Sequence, residues 1–336
     1  MRNLTVRFEG LDTTLPRILN QAAFFIDILS RKYRVTVLTE GNEEPDVLIY
    51  SWMGMQHLHW RRCIRIYYTM EMDFPDFNMC DYAIGLADAG MPDRFIHFPL
   101  YVFYNYLLKK YETSKPLLTD REALTRDFCS IVLKNNAFRD PICFDLFYRL
   151  DAYKPVASGG PWNNTVGGPV PDKLDFIKNY KFNLAIENTC VDGYVTEKIM
   201  EAFVAGTVPV YWGSSQVKKE FGEGGYIDIS DFETLDRAVD YIKKVDSDDA
   251  LYLDILRRGP QIPCSYDEWC DRLLDFLVRA IEHGKRLSNE GIYQIIHKEH
   301  FLVYHLQKSL PGRLYRKYLN TYYALQAWRR RRKYKK

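Results

Sequence analysis

Short apolar runs bounded by polar or turn-forming residues alternate with stretches of helical spacing along most of the chain. Strand-like runs fall at residues 2–8, 35–38, 47–50, 64–69, 82–86, 95–98 and 128–133, with Gly41-Asn42 and Pro45 as punctuation. Helical spacing runs from Leu15 to Leu29 through Ile18, Ala22, Phe25 and Ile26, and again from Pro141 to Leu150. Strands alternating with helices predict largely parallel sheets with both faces covered. The clearest unit comes later. Phe182 to Ile186 is an apolar run, Asp192-Gly193 a turn signal, and Val195, Ile199, Ala202 and Phe203 fall on one helical face. Gly206 sits where a helix C-terminus wants positive φ, and Val208 to Trp212 returns to β-type residues. Pro209 there suits an edge strand or a strand start. A strand at 226–229 and helices near 232–245, 251–257 and 269–281 complete the pattern, the last with Leu273, Leu274, Leu277, Val278 and Ile281 on a wide face.

The heaviest punctuation is the Gly/Pro-rich stretch from Pro155 to Pro171. It can serve as a domain boundary, a ligand-contacting loop, or both; taken as a boundary, it divides the chain into a domain at 1–153, a second at 154–310 and a tail at 311–336. A length of 336 residues supports two α/β domains of ordinary size.

Charge adds a third part. The net charge is only +2, but Arg313 to Lys336 holds ten Lys or Arg and no acid. The body is then near −8 and the tail +10. The tail interleaves Tyr315, Tyr318, Tyr322, Tyr323, Leu325 and Trp328 with the basic run from Arg329. Such a segment can lie on an anionic membrane surface, end as a solubilising extension, or meet nucleic acid, in that order of preference. No apolar stretch is long enough to span a bilayer, and Leu4 to Phe8 leads into the fold rather than reading as a leader. Seven cysteines, odd in number and without CxxC spacing, predict a reduced, cytoplasmic setting over a disulfide framework.

Chemistry collects where the strand at 182–186 ends and the next helix begins, at Glu187, Asn188, Tyr194, Thr196, Glu197 and Lys198. Open α/β sheets bind ligands there, with phosphates at the helix N-terminus. Lys198 weakly opposes the helix dipole, so it either meets an anion or is a solvated surface lysine. Glu197 can accept sugar hydroxyls or complement the dipole; Asn188 and Tyr194 can touch a base or sugar, or be structural. Glu71, flanked by Met70 and Met72 past a strand end, is either a general base in partly apolar surroundings or a loop acid paired with Arg61, Arg62 or Arg65. Asp246 and Asp248 form an Asp-x-Asp of metal-binding type, but turn and capping roles fit as well. His297, His300 and His305 lack a carboxylate or Cys to complete a metal spacing.

These residues carry a resemblance. Phe182-Asn-Leu-Ala-Ile-Glu-Asn188, Tyr194-Val-Thr-Glu-Lys198 and Thr207-Val-Pro-Val-Tyr-Trp-Gly213 resemble the donor-binding signature of the α-1,3/1,4-fucosyltransferases. Tyr67-Tyr-Thr-Met-Glu71, Asp76-Phe-Asn78, Cys80-Asp-Tyr-Ala-Ile-Gly85 and Pro99-Leu-Tyr101 resemble the family's acceptor-side block. With Ser158-Gly-Gly160, the likeness covers most of residues 60–280. It implies an α/β fold of GT-B type, with two Rossmann-like domains facing across a cleft, the first for acceptor and the second for donor. It implies an inverting, bacterial-type enzyme moving L-fucose from GDP-β-L-fucose to the N-acetylglucosamine of an N-acetyllactosamine-type glycan, with no cofactor required and a divalent metal at most stimulatory. Glu71 becomes the general base; Asn188, Tyr194 and Glu197 become fucose and guanosine contacts; Lys198 becomes the phosphate cation.

Two departures stand out. Asn163 occupies the place where related bacterial enzymes can carry an Arg on the pyrophosphate, leaving a second cation to be found, with Arg139 one option. The tail lacks the heptads of some relatives, and a basic C-terminus can instead dock the enzyme peripherally on the inner membrane face. Rival readings are another nucleotide-sugar transferase using Asp246 and Asp248, a non-catalytic glycan- or anion-binding protein tethered by the tail, and a nucleic-acid binder, the last not expected.

Overall fold

The apolar runs of the first hundred residues become six strands: β1 (Arg2–Glu9), β2 (Tyr33–Val37), β3 (Val47–Tyr50), β4 (Ile64–Tyr68), β5 (Tyr82–Gly85) and β6 (Phe95–His97). They form one sheet in the order β2-β1-β3-β4-β5-β6, every neighbouring pair parallel. All four residues of β3 and of β5 are buried, which is why these strands read as continuous apolar runs rather than alternating ones. The helix Gln21–Leu29 buries Ala22, Phe24, Phe25, Ile28 and Leu29, and begins at Asn20, whose side chain accepts the Ala23 N–H at 2.9 Å.

A second sheet holds β7 (Asp127–Ile131), β8 (Val156–Ser158), β9 (Tyr180–Ile186), β10 (Val208–Trp212) and β11 (Ile227–Asp228), in the order β11-β10-β9-β7-β8 and again parallel. Phe128, Phe147, Trp162, Phe182, Val210 and Ile242 belong to its core, where each fully buried large apolar side chain stabilises by about 1.5–3 kcal/mol. The helices Ile142–Asp151, Leu235–Ser247 and Asp249–Arg258 contribute to that core.

The computed structural model describes residues 1–11, 20–51, 57, 59–60, 62–87, 89–134 and 139–287, with 306, 309–315, 317–318, 321–322 and 325 beyond them. One compact unit is Met1–Tyr106 with Cys264–Gly312, the other Leu107–Pro263 with Arg313–Lys336. The boundary expected at 153/154 is therefore corrected to 106/107. The Gly/Pro-rich stretch lies within the second sheet's own connections, and its first residues form the edge strand β8. The actual divide comes at Tyr106, which adopts φ 49° with no Gly or Pro to advertise it. The helix Tyr266–Glu282 also returns to the first unit, where Arg31 pairs with Asp271 at 3.0 Å and the Tyr33 hydroxyl donates to Glu282 at 3.0 Å.

Pro209 lies in an interior strand rather than at a sheet edge. β11 joins β10 only from Val210, so at Pro209 the strand has one neighbour, and a missing N–H is tolerated there. His297, His300, His305 and the run Arg329–Lys336 lie outside the described residues. Within the described residues no helix is long and apolar enough to cross a membrane, and the seven cysteines are free thiols.

Candidate active site

The strand order of the second sheet reverses between β7 and β9. The chain leaves β7 outward to β8, then returns to the other side of β7 and continues to β10 and β11. Ligand crevices of open α/β sheets form at such a reversal, outside the carboxyl ends of the strands. Here the stretches after β7 and β9 are tied together, the Asp140 N–H donating to the Asn188 carbonyl at 3.0 Å. The loop after β8 packs against the same edge: the Trp162 N–H donates to the Leu133 carbonyl at 3.2 Å.

Glu187, the first residue past β9, is fully buried and organises this edge. Its Oε1 accepts the Thr196 N–H at 2.7 Å, and its Oε2 accepts Lys198 Nζ at 2.7 Å. Thr196 Oγ1 lies 2.9 Å from both carboxylate oxygens and accepts Lys198 Nζ at 2.8 Å. Thr196 is the N-cap of the helix Glu197–Val204, yet its side chain makes no capping bond, because the hydroxyl is engaged by Glu187 and Lys198. The first-turn N–H groups are thus left without their usual side-chain cap, the arrangement that favours an anion. Gly213 closes over Glu187: a Cβ there would come 2.6 Å from Glu187 Cγ and 2.5 Å from the Tyr211 hydroxyl, so no larger residue fits unless a neighbour moves. Gly206 ends the helix with φ 66°, as its position in the sequence predicts.

Lys198 is neither solvated nor free; its side chain is 14% exposed. Burial works against its ammonium, but the Glu187 and Glu197 carboxylates outweigh that and hold its pKa above the ordinary lysine value. Burial pushes Glu187 upward while Lys198 opposes the shift. The 2.7 Å contact and the strengthened ammonium identify a charged pair. Glu197, with Oε1 3.9 Å from Lys198 Nζ, titrates below its usual value: burial alone would raise it, but Lys198 and Lys173 prevail.

One turn further, Glu201 is buried and ion-paired with Lys173. Burial raises its pKa to about 7, with Lys173 only partly offsetting the shift. Below pH 4.5, the ordinary value, the carboxyl is protonated folded or unfolded; between that and about 7 only the folded chain keeps the proton. The stabilisation from this group is fully present below about 4.5 and is lost progressively as pH rises from there through about 7. Glu201→Gln, which cannot ionise, should therefore gain on the wild type by about 3 kcal/mol between pH 5 and 8 in denaturant unfolding. A constant difference across that range would contradict the shift.

Beside the Glu187–Lys198 pair lie polar atoms with no protein partner among the described residues: Arg139 Nε and Nη1, and Asn188 Oδ1. Orphaned buried polar atoms are costly and rare in native structures, and a polar ligand or water at this carboxyl edge would satisfy these. Arg139 and Lys198 both act electrostatically on the buried Cys143 thiol, whose pKa burial nonetheless raises to about 11.

The remaining predicted residues are distributed as follows. Tyr194 is buried in the loop before the helix, its N–H donating to the Val191 carbonyl at 3.0 Å. Asn163 sits in the loop after β8 with φ 45°, a left-handed conformation that Asn tolerates better than most residues. Its neighbour Asn164 organises that loop, donating to the Gly160 and Gly168 carbonyls at 2.9 and 2.8 Å. Glu71 belongs to the first unit, on the turn after β4; it is exposed and its Met neighbours are only partly buried, so the apolar surroundings expected for it are not found. Asp246 is buried and paired with Lys154 and with Lys181 at 3.5 Å, while Asp248 caps the helix Asp249–Arg258 by accepting the Leu251 N–H at 3.0 Å. Asp248 therefore has the capping role that the alternative expected, while Asp246 is engaged in buried ion pairs instead.

Residues 11–104 match the α-(1,3)-fucosyltransferase FucT N-terminal domain, and residues 124–259 match the C-terminal domain of glycosyltransferase family 10, the fucosyltransferases. This chain belongs to the fucosyltransferase family. It is 34% identical to the α-(1,3)-fucosyltransferase FucT of Helicobacter pylori, over 74% of this chain and 58% of that protein. A shorter segment of 76 residues is 41% identical to an α-(1,4)-fucosyltransferase of Arabidopsis thaliana, covering 23% of this chain and 19% of that one. The chain thus spans little more than half of the first relative's length and about a fifth of the second's. A crystal structure of an α1,3-fucosyltransferase with GDP superposes with a TM-score of 0.72 at 28% identity, covering 86% of this chain and 93% of that one. The fucosyltransferase resemblance and the GT-B-type α/β class expected from the sequence both hold.

Within this family member, the structure brings Asn188, Glu197 and Lys198 together at one sheet edge with the two residues that sequence reasoning left without a settled role, Arg139 and Glu187. Glu187 was visible only as one polar residue among six. Nothing in the sequence marks it as the acid that holds Lys198, because they are eleven residues apart and meet only through the turn at Asp192-Gly193.

Proposed function

We propose that this fucosyltransferase family member moves L-fucose from GDP-β-L-fucose to the N-acetylglucosamine of a galactose- and N-acetylglucosamine-containing glycan, in α-1,3 linkage and with inversion. The observation that carries this reading is the set of unpartnered polar atoms on Arg139 and Asn188 beside the Lys198 ammonium, at the reversal point of a parallel sheet. Lys198 and Arg139 neutralise the diphosphate as negative charge builds on the leaving GDP. Asn188, Tyr194 and Glu197 hold base or sugar groups of the donor, and Asn163 adds an uncharged donor from the loop after β8. Glu71 takes the proton of the acceptor hydroxyl as that oxygen attacks the anomeric carbon opposite the GDP. The first unit serves the acceptor and the second the donor.

The reaction needs no metal, since the leaving group is met by protein cations. Mixing enzyme, GDP-fucose and a panel of sugar acceptors in EDTA should release GDP only with an N-acetyllactosamine-type acceptor. Release that requires added divalent metal, or none with any acceptor, would overturn the reading.

The enzyme works in the cytoplasm, peripherally bound to the inner membrane face through residues 313–336. Leu314, Tyr318 and Tyr322, four residues apart and all exposed, supply the apolar contact, and the tail's cations add about 1 kcal/mol each near an anionic surface. The full chain should sediment with vesicles containing anionic lipid and not with neutral ones, and removing residues 313–336 should abolish it. Equal binding with and without the tail would refute this.

A further inference from the structure

Glu71 sits on a turn tied to β4 and to the core beneath it by a chain of hydrogen bonds. Its N–H donates to Thr69 Oγ1 at 3.2 Å, and the Asp73 N–H donates back to the Glu71 carbonyl at 2.8 Å. The Asp73 carboxylate in turn accepts the Tyr67 hydroxyl. Tyr67 is a residue of β4 itself, packed in a buried cluster with Leu48, Tyr50, Trp60 and Phe95. Burial and the Asp73 charge push its pKa far above that of an ordinary phenol, so the hydroxyl stays a donor. Thr69 is buried as well, its N–H bonded to the Ile84 carbonyl of β5 at 3.0 Å. An exposed acid on such a turn would otherwise sample many orientations. Here both residues that bind the Glu71 backbone, Thr69 and Asp73, are themselves fixed to the strand.

We propose that Tyr67 and Asp73 are positioning residues for Glu71, a clamp that transmits the rigidity of β4 to the turn presenting the base. The inference rests on the reading of Glu71 as the general base. Neither side chain belongs to the donor-binding set, which lies in the second unit. The clamp should therefore act on kcat and leave donor affinity alone.

The test compares Tyr67→Phe, Asp73→Ala, Asp73→Asn and Glu71→Gln for transfer and for GDP affinity by calorimetry. Tyr67→Phe and Asp73→Ala break the clamp and should lower kcat by about ten- to a hundredfold with GDP affinity unchanged, which also reports that they fold. Asp73→Asn keeps an oxygen that accepts the Tyr67 hydroxyl and should stay within about threefold of wild type. An Asp73→Asn enzyme as inactive as Glu71→Gln would give Asp73 a chemical role and overturn the clamp. A Tyr67→Phe enzyme at the wild-type rate would do the same. An active Glu71→Gln enzyme removes the base reading and this proposal with it, a result separate from either of the others.

Discussion

Glu71→Gln should leave GDP-fucose bound as in the wild type and lower transfer by about 10²–10⁴-fold, the usual contribution of a positioned general base. The substitution keeps the side chain's size and its hydrogen-bonding capacity, and removes only the ability to take a proton. An acceptor hydroxyl is a poor nucleophile unless its proton leaves as the bond to the anomeric carbon forms. Donor binding should be spared because Arg139, Asn188, Glu197 and Lys198 all belong to the second unit. The exposure of Glu71 is consistent with this role, since a base must be reached by a large glycan. Single-turnover transfer and calorimetric GDP-fucose affinity, measured side by side, separate the two steps. Wild-type transfer by the variant would move the base elsewhere in the first unit.

The second large effect belongs to Lys198. Lys198→Ala removes the cation proposed for the diphosphate and also strands Glu187, which is fully buried. Breaking a buried ion pair by deleting one partner costs about 3–5 kcal/mol, because the remaining charge has lost its compensation. The variant should therefore bind GDP far more weakly and also unfold at markedly lower denaturant. A second variant keeps these consequences apart. Glu187→Gln with Lys198→Met replaces both charges with neutral groups of similar volume, which in buried sites is often close to neutral for stability. It should recover most of the lost stability and none of the GDP affinity. Recovery of GDP binding in the double variant would show that Lys198 serves only to neutralise Glu187, and unchanged GDP affinity in Lys198→Ala would refute the phosphate role outright.

Much of the fold was legible because buried parallel strands advertise themselves. β3, β5 and the second half of β9 are apolar at nearly every position, and the runs at 47–50, 82–86 and 182–186 match them within a residue or two. Short elements were not legible. β8 has three residues and the helices Leu100–Phe103, Lys173–Ile177 and Val217–Phe221 have four or five, too few for a period to show. The domain boundary failed for a different reason. Gly and Pro mark places where the backbone turns sharply, and the loop after β8 must turn sharply to pack against Leu133: a Cβ on Gly160 would come 2.0 Å from the Leu133 carbonyl oxygen. The chain passes between units at Tyr106 without such a turn signal.

The site divides along the same line. The sequence by itself determined which residue types meet at the end of β9, because strand, turn and helix there are contiguous and local in their physics. It determined the family as well, through two ordered blocks of motif. Only the tertiary structure decided that the anion already facing Lys198 is Glu187, that Arg139 comes to the same edge from the far side of the strand-order reversal, and that the carboxylates of Asp246 and Asp248 are engaged by lysines and a helix cap. Periodicity reports what each segment buries. It cannot report which charges from distant segments share a low-dielectric edge, where pairing, and with it every pKa and every candidate role, is settled by distances of a few ångströms.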